Sequence, residues 1–364
     1  MLPFEDGTAV FESPRQVHLT QCFNRTSFCV TVSRFEPGPH YPTTYTWIEA
    51  DGVKRKYAMP PYYISDMAEA SRNMRHFART ANSETTRVFL ADSNPIVKKT
   101  FKEAERYCTA SKATQSNLVA AAIMLWSTTK MVWKRWLVCG TDTLGMRTME
   151  HDMPIYLRNP FMDSALVTPV MQVQLETMLV RDVLVPLKDK LLRLLKEKIL
   201  AKKKEDWYEI YLVSFIILHN TEWEVGRIAY FTRRLGLNPA PQSNRESSLS
   251  QAYYHACKTV LAYFHFASGG AAPLSLDWVS SGQNNFAMTE PQIAYLRDIK
   301  DELVYQDTQL RHLKNVPMYA DMYWCHQMLF PGWKADMPHL GAFLEVTEKD
   351  YLAPLVQSAV ILTP

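Results

Sequence analysis

A chain of 364 residues is long enough for one or two domains, and its composition, 47% hydrophobic and 12% aromatic, is too apolar for a disordered protein. Forty basic against thirty-seven acidic residues leave a net charge of only +3, far from the strongly basic balance of proteins that follow a phosphate backbone. Residues 1–30 show no basic start followed by an apolar stretch, so we do not expect secretion, and Asn24-Arg25-Thr26 is then an unused glycosylation sequon.

Residues 1–64 differ from the rest because prolines interrupt short runs of strand-forming residues. Phe28–Phe35 predicts a strand. The runs Tyr45–Ala50 and Val53–Ala58 flank Asp51-Gly52, a pair that readily takes the positive φ angles of a tight turn, so they predict a β-hairpin. Because an isolated hairpin is only marginally stable, we expect it to dock on another part of the protein.

From Ser65 onward the pattern predicts helices divided by Pro, Gly and Asn. Ser93-Asn94-Pro95 and Thr168-Pro169 are typical helix starts, since an N-cap side chain is followed by a proline that needs no backbone partner. The predicted helices include Ile96–Cys108, Asn117–Trp136, Trp207–Leu235, Gln251–Phe266, Pro291–Leu313 and Pro317–Phe330. No solenoid repeat and no alternation of strands with helices is visible. We therefore predict an all-α body over residues 65–345 and a tail over residues 346–364.

An apolar stripe at three- and four-residue steps follows Thr168-Pro169. Its members are Leu175, Met178, Leu179, Val183, Leu184, Leu187, Leu191, Leu194 and Leu195. Pro186 lies inside the stripe and is expected to kink or divide the helix. The stripe is short for a coiled coil, so pairing through it as a homodimer or heterodimer is a hypothesis only.

The polar side of the same region, Lys188–Lys204, is rich in lysine. Acidic residues are interleaved with the lysines, which is typical of a solvated helix face. The alternative is a nuclear import signal formed by Lys202, Lys203 and Lys204.

Two short patterns are compatible with enzyme chemistry but lack the partners that this chemistry needs. Ser127 and Lys130 have the SxxK spacing of acyl-enzyme hydrolases, without either companion motif. Tyr254 and Lys258 have the YxxxK spacing of some nicotinamide-dependent oxidoreductases, without a glycine-rich phosphate loop. Both patterns are common by chance, so we predict that the protein is not an enzyme. A helical small-molecule-binding protein or enzyme with an apolar pocket remains the alternative.

The cysteines and histidines do not predict a metal site or any cofactor. The six cysteines form no CxxC pair and are interpreted as reduced thiols, several of them in the core. His255 with Cys257, and Cys325 with His326, are the only close His/Cys pairs. Neighbours one or two residues apart point to different faces of a helix, so neither pair is expected to chelate zinc.

The apolar and aromatic residues predict a large core. Ile210–Leu218 is too short to span a membrane and is interpreted as a buried helix. Trp126, Trp133 and Trp136 have helical spacing on one face, and the remaining tryptophans of note are placed at helix ends: Trp207, Trp223, Trp278, Trp324 and Trp333. Core packing is the expected role of these rings, and lining an effector pocket is the alternative.

The order of several segments resembles the regulatory region of fungal binuclear zinc-cluster transcription factors. The likeness covers roughly Asn117–Lys334 and rests on Trp133–Trp136, Cys139–Gly145, Thr168–Leu175, Trp207–Glu222, Tyr253–Phe266, Pro273–Trp278 and Tyr323–Trp333. The resemblance implies an all-α module in the nucleus that regulates transcription. It also implies contacts with the transcription machinery, self-association and response to a small-molecule effector.

The chain departs from that family at its amino-terminal end. Members usually carry six closely spaced cysteines that hold two zinc ions and present a helix to DNA, whereas here only Cys22 and Cys29 precede Cys108. Direct DNA binding by this chain is therefore not expected, and zinc is expected only if such a cluster is missing from the sequence. The chain is then a regulatory fragment, a shortened gene model or a natural regulator without a DNA reader.

Overall fold

The computed structural model of the protein describes residues 13–21, 24–39, 41, 44–48, 53–91, 93–110, 118–148, 164–234, 244–276, 286–310, 322–330 and 333–334. These residues divide into two units. The first contains the described residues up to Phe89 and Ser127–Leu187, and the second contains Leu90–Trp126 and the described residues from Lys188 onward. The predicted boundaries at residues 64 and 345 stay predictions.

The first unit is built on a curled antiparallel sheet, a half-barrel. Its strands are β1 (Arg15–Gln21), β2 (Phe28–Arg34), β5 (Tyr62–Ile64), β6 (Trp136–Cys139) and β7 (Ser164–Leu166), in the spatial order β5-β2-β1-β6-β7. A separate pair, β3 (Thr44–Ile48) and β4 (Lys54–Ala58), forms the predicted hairpin. Its Asp51-Gly52 turn lies outside the described residues.

Apolar side chains from several strands and helices form the core of this unit. Asp66 is the N-cap of helix α1 (Met67–Thr80), and its carboxylate accepts a hydrogen bond from the Glu69 backbone N–H at 2.8 Å. Its Phe77 ring lies 5.0 Å from Phe28 of β2 and 5.5 Å from Trp136 of β6, between ring centroids. Tilted ring contacts of this kind add to the stabilisation that comes from burying the rings.

Helix α5 (Pro169–Met178) closes the open edges of the sheet. The Gln174 amide pairs with edge strand β5 as another strand would: its Oε1 accepts from the Ile64 N–H at 2.8 Å and its Nε2 donates to the Ile64 carbonyl at 3.1 Å. Thr168, two residues beyond β7, donates to the Tyr62 carbonyl at 2.7 Å and accepts from the Met171 N–H at 3.2 Å. One hydroxyl therefore caps the helix, as predicted, and joins opposite edges of the sheet.

The predicted division of the leucine-rich helix near Pro186 is confirmed. A π-helical segment, Leu179–Leu184, separates α5 from α6 (Val185–Ala201). The wider turn accommodates a proline that cannot donate a backbone hydrogen bond. Within this segment Asp182 accepts a hydrogen bond from Ser71 of α1 at 2.7 Å, and its salt bridge with Arg181 lowers its pKa.

The second unit is helical and is organised around α7 (Trp207–Arg234). Every residue from Trp207 to Asn220 is buried, which is typical of a helix enclosed on all sides. The other helices of this unit are α3 (Pro95–Ala110), α4 (Leu118–Val132, in its first half), α6, α8 (Asn244–Ala267), α9 (Glu290–Leu310) and α10 (Tyr323–Leu329). Helix α2 (Asn82–Ala91) lies mainly in the first unit.

Several links hold these helices around α7. The Lys99 ammonium of α3 lies 2.9 Å from carboxylate oxygens of both Asp298 and Glu302 on α9. Buried Glu222 of α7 accepts a hydrogen bond from the Trp324 N–H at 2.9 Å, in the first turn of α10. Because this turn offers backbone donors without helical partners, a carboxylate there is favourable.

The prediction of an all-α body is wrong in one respect: the chain is mostly helical, but it contains the half-barrel sheet. Two of its strands, β6 and β7, come from the region predicted to be helical. All four residues of β6 are buried, and a short, fully apolar run has no periodicity that separates a strand from a helix.

The prediction of one tryptophan face on a single helix is also wrong, because α4 ends at Val132. Trp133 lies in the following turn and Trp136 in β6. Trp223 lies inside α7 rather than at its end, whereas Trp207 starts α7 and Trp324 lies at the start of α10, as predicted. Trp278 lies outside the described residues.

The predictions for α3, α7 and α9 agree with the structure to within a few residues where these helices are described. Helix α8 begins at Asn244, before its predicted start at Gln251, and α10 begins at Tyr323, after the non-helical Met322, and not at Pro317. Helix α3 matches the prediction after Ser93-Asn94-Pro95, and α8 ends before Gly269 and Gly270, whose φ angles of +61° and +80° favour glycine. Ile210–Leu218 is buried within α7, as expected. None of the helices in the described ranges has both the length and the apolar character needed to cross a membrane.

Replacing Gln174 tests how much the half-barrel depends on this amide. Gln174→Ala leaves both buried backbone groups of Ile64 without their partner, so we expect a loss of about 2–4 kcal/mol in unfolding free energy, measured by denaturant titration. Thr177→Ala, an exposed substitution on the same helix, is the control and should stay within about 0.5 kcal/mol. Equal effects of the two substitutions would contradict the assigned role.

Candidate functional site

The three lysines proposed as an import signal lie where α6 ends. Lys202 takes a left-handed backbone conformation, with φ of 53°, and Lys204 begins a short 3-10 turn, Lys204–Asp206, that leads into α7. All three side chains are exposed. Positive charge at the carboxyl end of a helix interacts favourably with the helix dipole, so this position stabilises the fold as well as presenting the lysines to solvent.

A neighbouring lysine of the same stretch has a different role. The Lys198 ammonium lies 2.7 Å from Asp206 and 2.8 Å from Glu209, and Glu209 is only 1% exposed. Burial alone would lower the pKa of Lys198, but its hydrogen bonds to these carboxylates raise that pKa above the ordinary value. The prediction of a solvated lysine face is therefore confirmed for the outer side chains, whereas Lys198 fixes the turn between α6 and α7.

Trp207 anchors the same turn from the other side. Its indole N–H donates to the Ser268 hydroxyl at 3.0 Å, just beyond the end of α8. Its ring stacks on Phe286 at 4.5 Å and on Tyr211 at 5.7 Å, between centroids. The start of α7 and the end of α8 are thus held side by side by a paired indole in an aromatic cluster.

A buried polar network links α3 to α7. The Tyr208 hydroxyl donates to Glu103 at 2.6 Å, and the Arg106 guanidinium donates to both oxygens of the same carboxylate at 2.6 Å. Burial and the neighbouring carboxylate raise the pKa of Tyr208, so its hydroxyl stays protonated and acts as a donor. The arrangement satisfies a buried carboxylate with charge-assisted hydrogen bonds.

A second set of hydroxyls extends this network to α9. Tyr295 lies 2.7 Å from the Thr100 hydroxyl and 3.3 Å from the Tyr211 hydroxyl, between oxygen atoms. Burial raises the pKa of both tyrosines, which keeps these groups neutral. Neutral, mutually paired hydroxyls position helices and provide no ionised nucleophile or base at neutral pH.

Trp126 supports the interpretation of the tryptophans as core residues. It is buried, its indole N–H donates to Nδ1 of His219 at 2.9 Å, and its ring lies 4.6 Å from Phe101. The indole N–H and one of the two imidazole nitrogens therefore satisfy one another inside the helical unit.

The two enzyme-like patterns occupy different environments. Ser127 and Lys130 are both buried in the second half of α4, and the Ser127 hydroxyl donates to the Asn82 side chain of α2. Tyr254 and Lys258 lie on one face of α8, as predicted, with the ammonium 5.2 Å from the centre of the tyrosine ring. That separation is typical of a cation–π contact, which accounts for the pair in structural terms.

The cysteines behave as reduced core or near-core residues where they are described. Cys139, Cys257 and Cys325 are buried free thiols, and Cys29 and Cys108 are half-buried. Burial raises the pKa of Cys139 and of Cys108 to about 11, which keeps both as protonated thiols. Cys22 lies outside the described residues. In the ranges that the structure covers, no three His, Cys, Asp or Glu side chains converge on a position for a metal ion.

Sequence reasoning missed the residues that organise this region. Glu103 and Tyr208 lie more than one hundred positions apart, and so do Gln174 and Ile64. Glu103 is one of several charged residues of α3, and its residue type alone does not distinguish it from Lys102 and Glu105, which are exposed in the structure. The weak signal was its place, three residues after Thr100, on the side of the helix that also carries Ile96 and Ala104.

A comparison with known families first identifies the class of protein: residues 6–330 match a family of transcription factors. The matching family is the KpeA transcription factor family, and because the match spans most of the chain, the protein belongs to that family. The prediction of a transcription factor is thereby confirmed, and the fungal zinc-cluster type stays a prediction. No curated protein and no solved structure matches the chain.

Replacing Tyr208 tests the buried carboxylate network. Tyr208→Phe removes a hydrogen bond to a charged group while keeping the ring, so we expect a loss on the order of 2 kcal/mol in unfolding free energy, measured by denaturant titration. The matched control, Tyr263→Phe, removes an exposed hydroxyl from α8 and should change stability by less than about 0.5 kcal/mol. An unchanged midpoint for Tyr208→Phe would show that the network does not stabilise the helical unit.

Proposed function

We propose that this protein is a nuclear regulator of transcription that acts through contacts with other proteins. The observation that carries the proposal is the match of residues 6–330 to the KpeA transcription factor family. The buried networks support it, because tyrosine, glutamate and histidine side chains in the helical unit hold helices together. We accordingly propose a regulatory role and no catalytic one.

We also propose that the chain is the regulatory part of a fungal zinc-cluster type of factor. The support is the order of the resembling segments, of which Trp207–Glu222 forms the first half of the central helix α7. DNA reading is then supplied by a six-cysteine cluster beyond these residues or by a partner protein. Sequencing the 5′ end of the transcript separates these cases, since it shows whether codons for such a cluster lie upstream.

Tethering tests the regulatory role directly. With the full chain fused to a foreign DNA-binding domain, we expect reporter output to change in at least one growth condition relative to the DNA-binding domain alone. A fusion that carries Leu212→Asp, which places a charge in the middle of buried α7, should lose this effect because the helical unit cannot fold around it. No change in reporter output under any growth condition would contradict the proposal.

A second prediction concerns entry into the nucleus through Lys202, Lys203 and Lys204. We expect the wild-type chain to bring a fluorescent carrier too large for passive diffusion into the nucleus, and the triple alanine variant to leave it in the cytoplasm. The control is Lys188→Ala with Lys190→Ala and Lys196→Ala, which removes the same charge from exposed positions of α6. Equal nuclear fractions for both triple variants would contradict the assignment of Lys202, Lys203 and Lys204 as the import signal.

A further inference from the structure

Helix α8 exposes a face that is almost without charge. Within residues 252–267, the part of α8 whose side chains the structure describes, the exposed residues are Ala252, His255, Ala256, Thr259, Ala262, Tyr263 and Phe266, here called the α8 face. Phe266 is 51% exposed and Tyr263 is 36% exposed. Residues 252–267 contain no acidic residue, and Lys258 is the only lysine or arginine among them. A solvated helix normally carries charge on its outer side, as α6 does, so this composition indicates a surface that another molecule covers.

The carboxyl-terminal end of the α8 face is bordered by positive charge. The Lys202 ammonium lies 4.8 Å from the centre of the Phe266 ring, which places the end of α6 beside the end of α8. The hydrogen bond from Trp207 to Ser268 holds the two chain segments in this arrangement. Lys203 and Lys204 follow directly and are exposed, and neither forms an ion pair within the part of the chain that the structure describes. The result is an apolar strip with a basic end.

Nucleic acids and acidic protein segments both carry the negative charge that this basic end would attract. From Ala252 to Phe266 the α8 face extends about 20 Å at the rise of an α-helix, without a lysine or arginine among its exposed positions. A nucleic acid needs positive charge at intervals along its backbone, and this strip does not provide it. An amphipathic protein segment places apolar side chains along such a strip and acidic side chains at its end. The composition therefore favours a protein.

We propose that the α8 face and Lys202–Lys204 form a docking surface for an acidic amphipathic segment of a partner protein. The proposal rests on the proposed function, since it assigns the chemistry of one partner of the regulator. Phe266 and Tyr263 are the apolar anchors, which large aromatic rings provide effectively at interfaces. The lysines guide and orient the segment, so the interaction weakens as salt screens the charges.

Fluorescence anisotropy of a labelled peptide tests the proposal with the full chain. The probe is a 20-residue helical peptide of Glu, Asp, Leu, Phe and Ala with its acidic residues grouped at one end, and its Gln/Asn analogue is the neutral control. We expect saturable binding of the acidic peptide that weakens with added salt. Phe266→Ala, and separately Lys203→Glu with Lys204→Glu, should each raise its Kd about tenfold or more.

Matched variants separate this surface from general charge and from loss of structure. Lys188→Glu with Lys190→Glu makes the same charge change at exposed positions of α6 and should leave the Kd within about twofold. Circular dichroism should be unchanged for Phe266→Ala, because half of that ring is exposed. The proposal would be overturned by absent binding, by equal binding of the neutral peptide, or by a Kd that neither Phe266→Ala nor the Lys203→Glu, Lys204→Glu variant changes.

A labelled 20-base-pair DNA duplex provides the remaining comparison. Displacement of the acidic peptide by the duplex, with tighter binding of the duplex that depends on Phe266 and Lys203, would assign the surface to nucleic acid and overturn the proposal. Failure of peptide binding together with an active tethered fusion would support the regulatory role and overturn the docking surface. Peptide binding with an inactive fusion would support the docking surface and contradict the regulatory role.

Discussion

The complete burial of the first half of α7 is the constraint on which the helical unit depends. From Trp207 to Asn220 every residue of this helix is buried, although tyrosine, glutamate and histidine side chains occur within it. A buried polar group without a partner costs on the order of 1–3 kcal/mol, so each surrounding helix has to supply hydrogen bonds as well as apolar contacts. Glu103 of α3, Lys198 of α6 and Ser268 after α8 meet this demand, and Glu222 on the next turns of α7 holds α10 in return.

This arrangement explains why several chemically suggestive residues have structural roles. Tyr208, His219 and Lys198 would be candidate catalytic groups in a cleft, but each is used to pair two elements of the core. In the first unit neutral side chains have the same role, since Gln174 and Thr168 form hydrogen bonds with backbone groups of edge strand β5. With the polar interior committed to structure, the outer surfaces of the helices are the places at which a transcription regulator can meet its partners.

Those surfaces are not equivalent. The outside of α6 alternates lysine with aspartate and glutamate and is suited to solvent, whereas the α8 face presents alanine, tyrosine and phenylalanine. The cation–π contact between Lys202 and Phe266 marks the point where the two surfaces meet. Specific protein contacts usually place aromatic anchors beside charged residues that set orientation, and both occur together at this junction.

The sequence by itself determined most helices, because their periodicity, caps and breakers are local. Thr168-Pro169, Asn94-Pro95 and Gly269-Gly270 mark helix ends, and the hairpin strands follow from the two short runs that flank Asp51-Gly52. Only the tertiary structure decided that Trp136–Cys139 is a strand, since a four-residue apolar run takes its conformation from the neighbours β1 and β7 with which it pairs. The same holds for the pairing of Glu103 with Tyr208 and of Gln174 with Ile64, because hydrogen bonds between residues more than one hundred positions apart depend on how the helices pack.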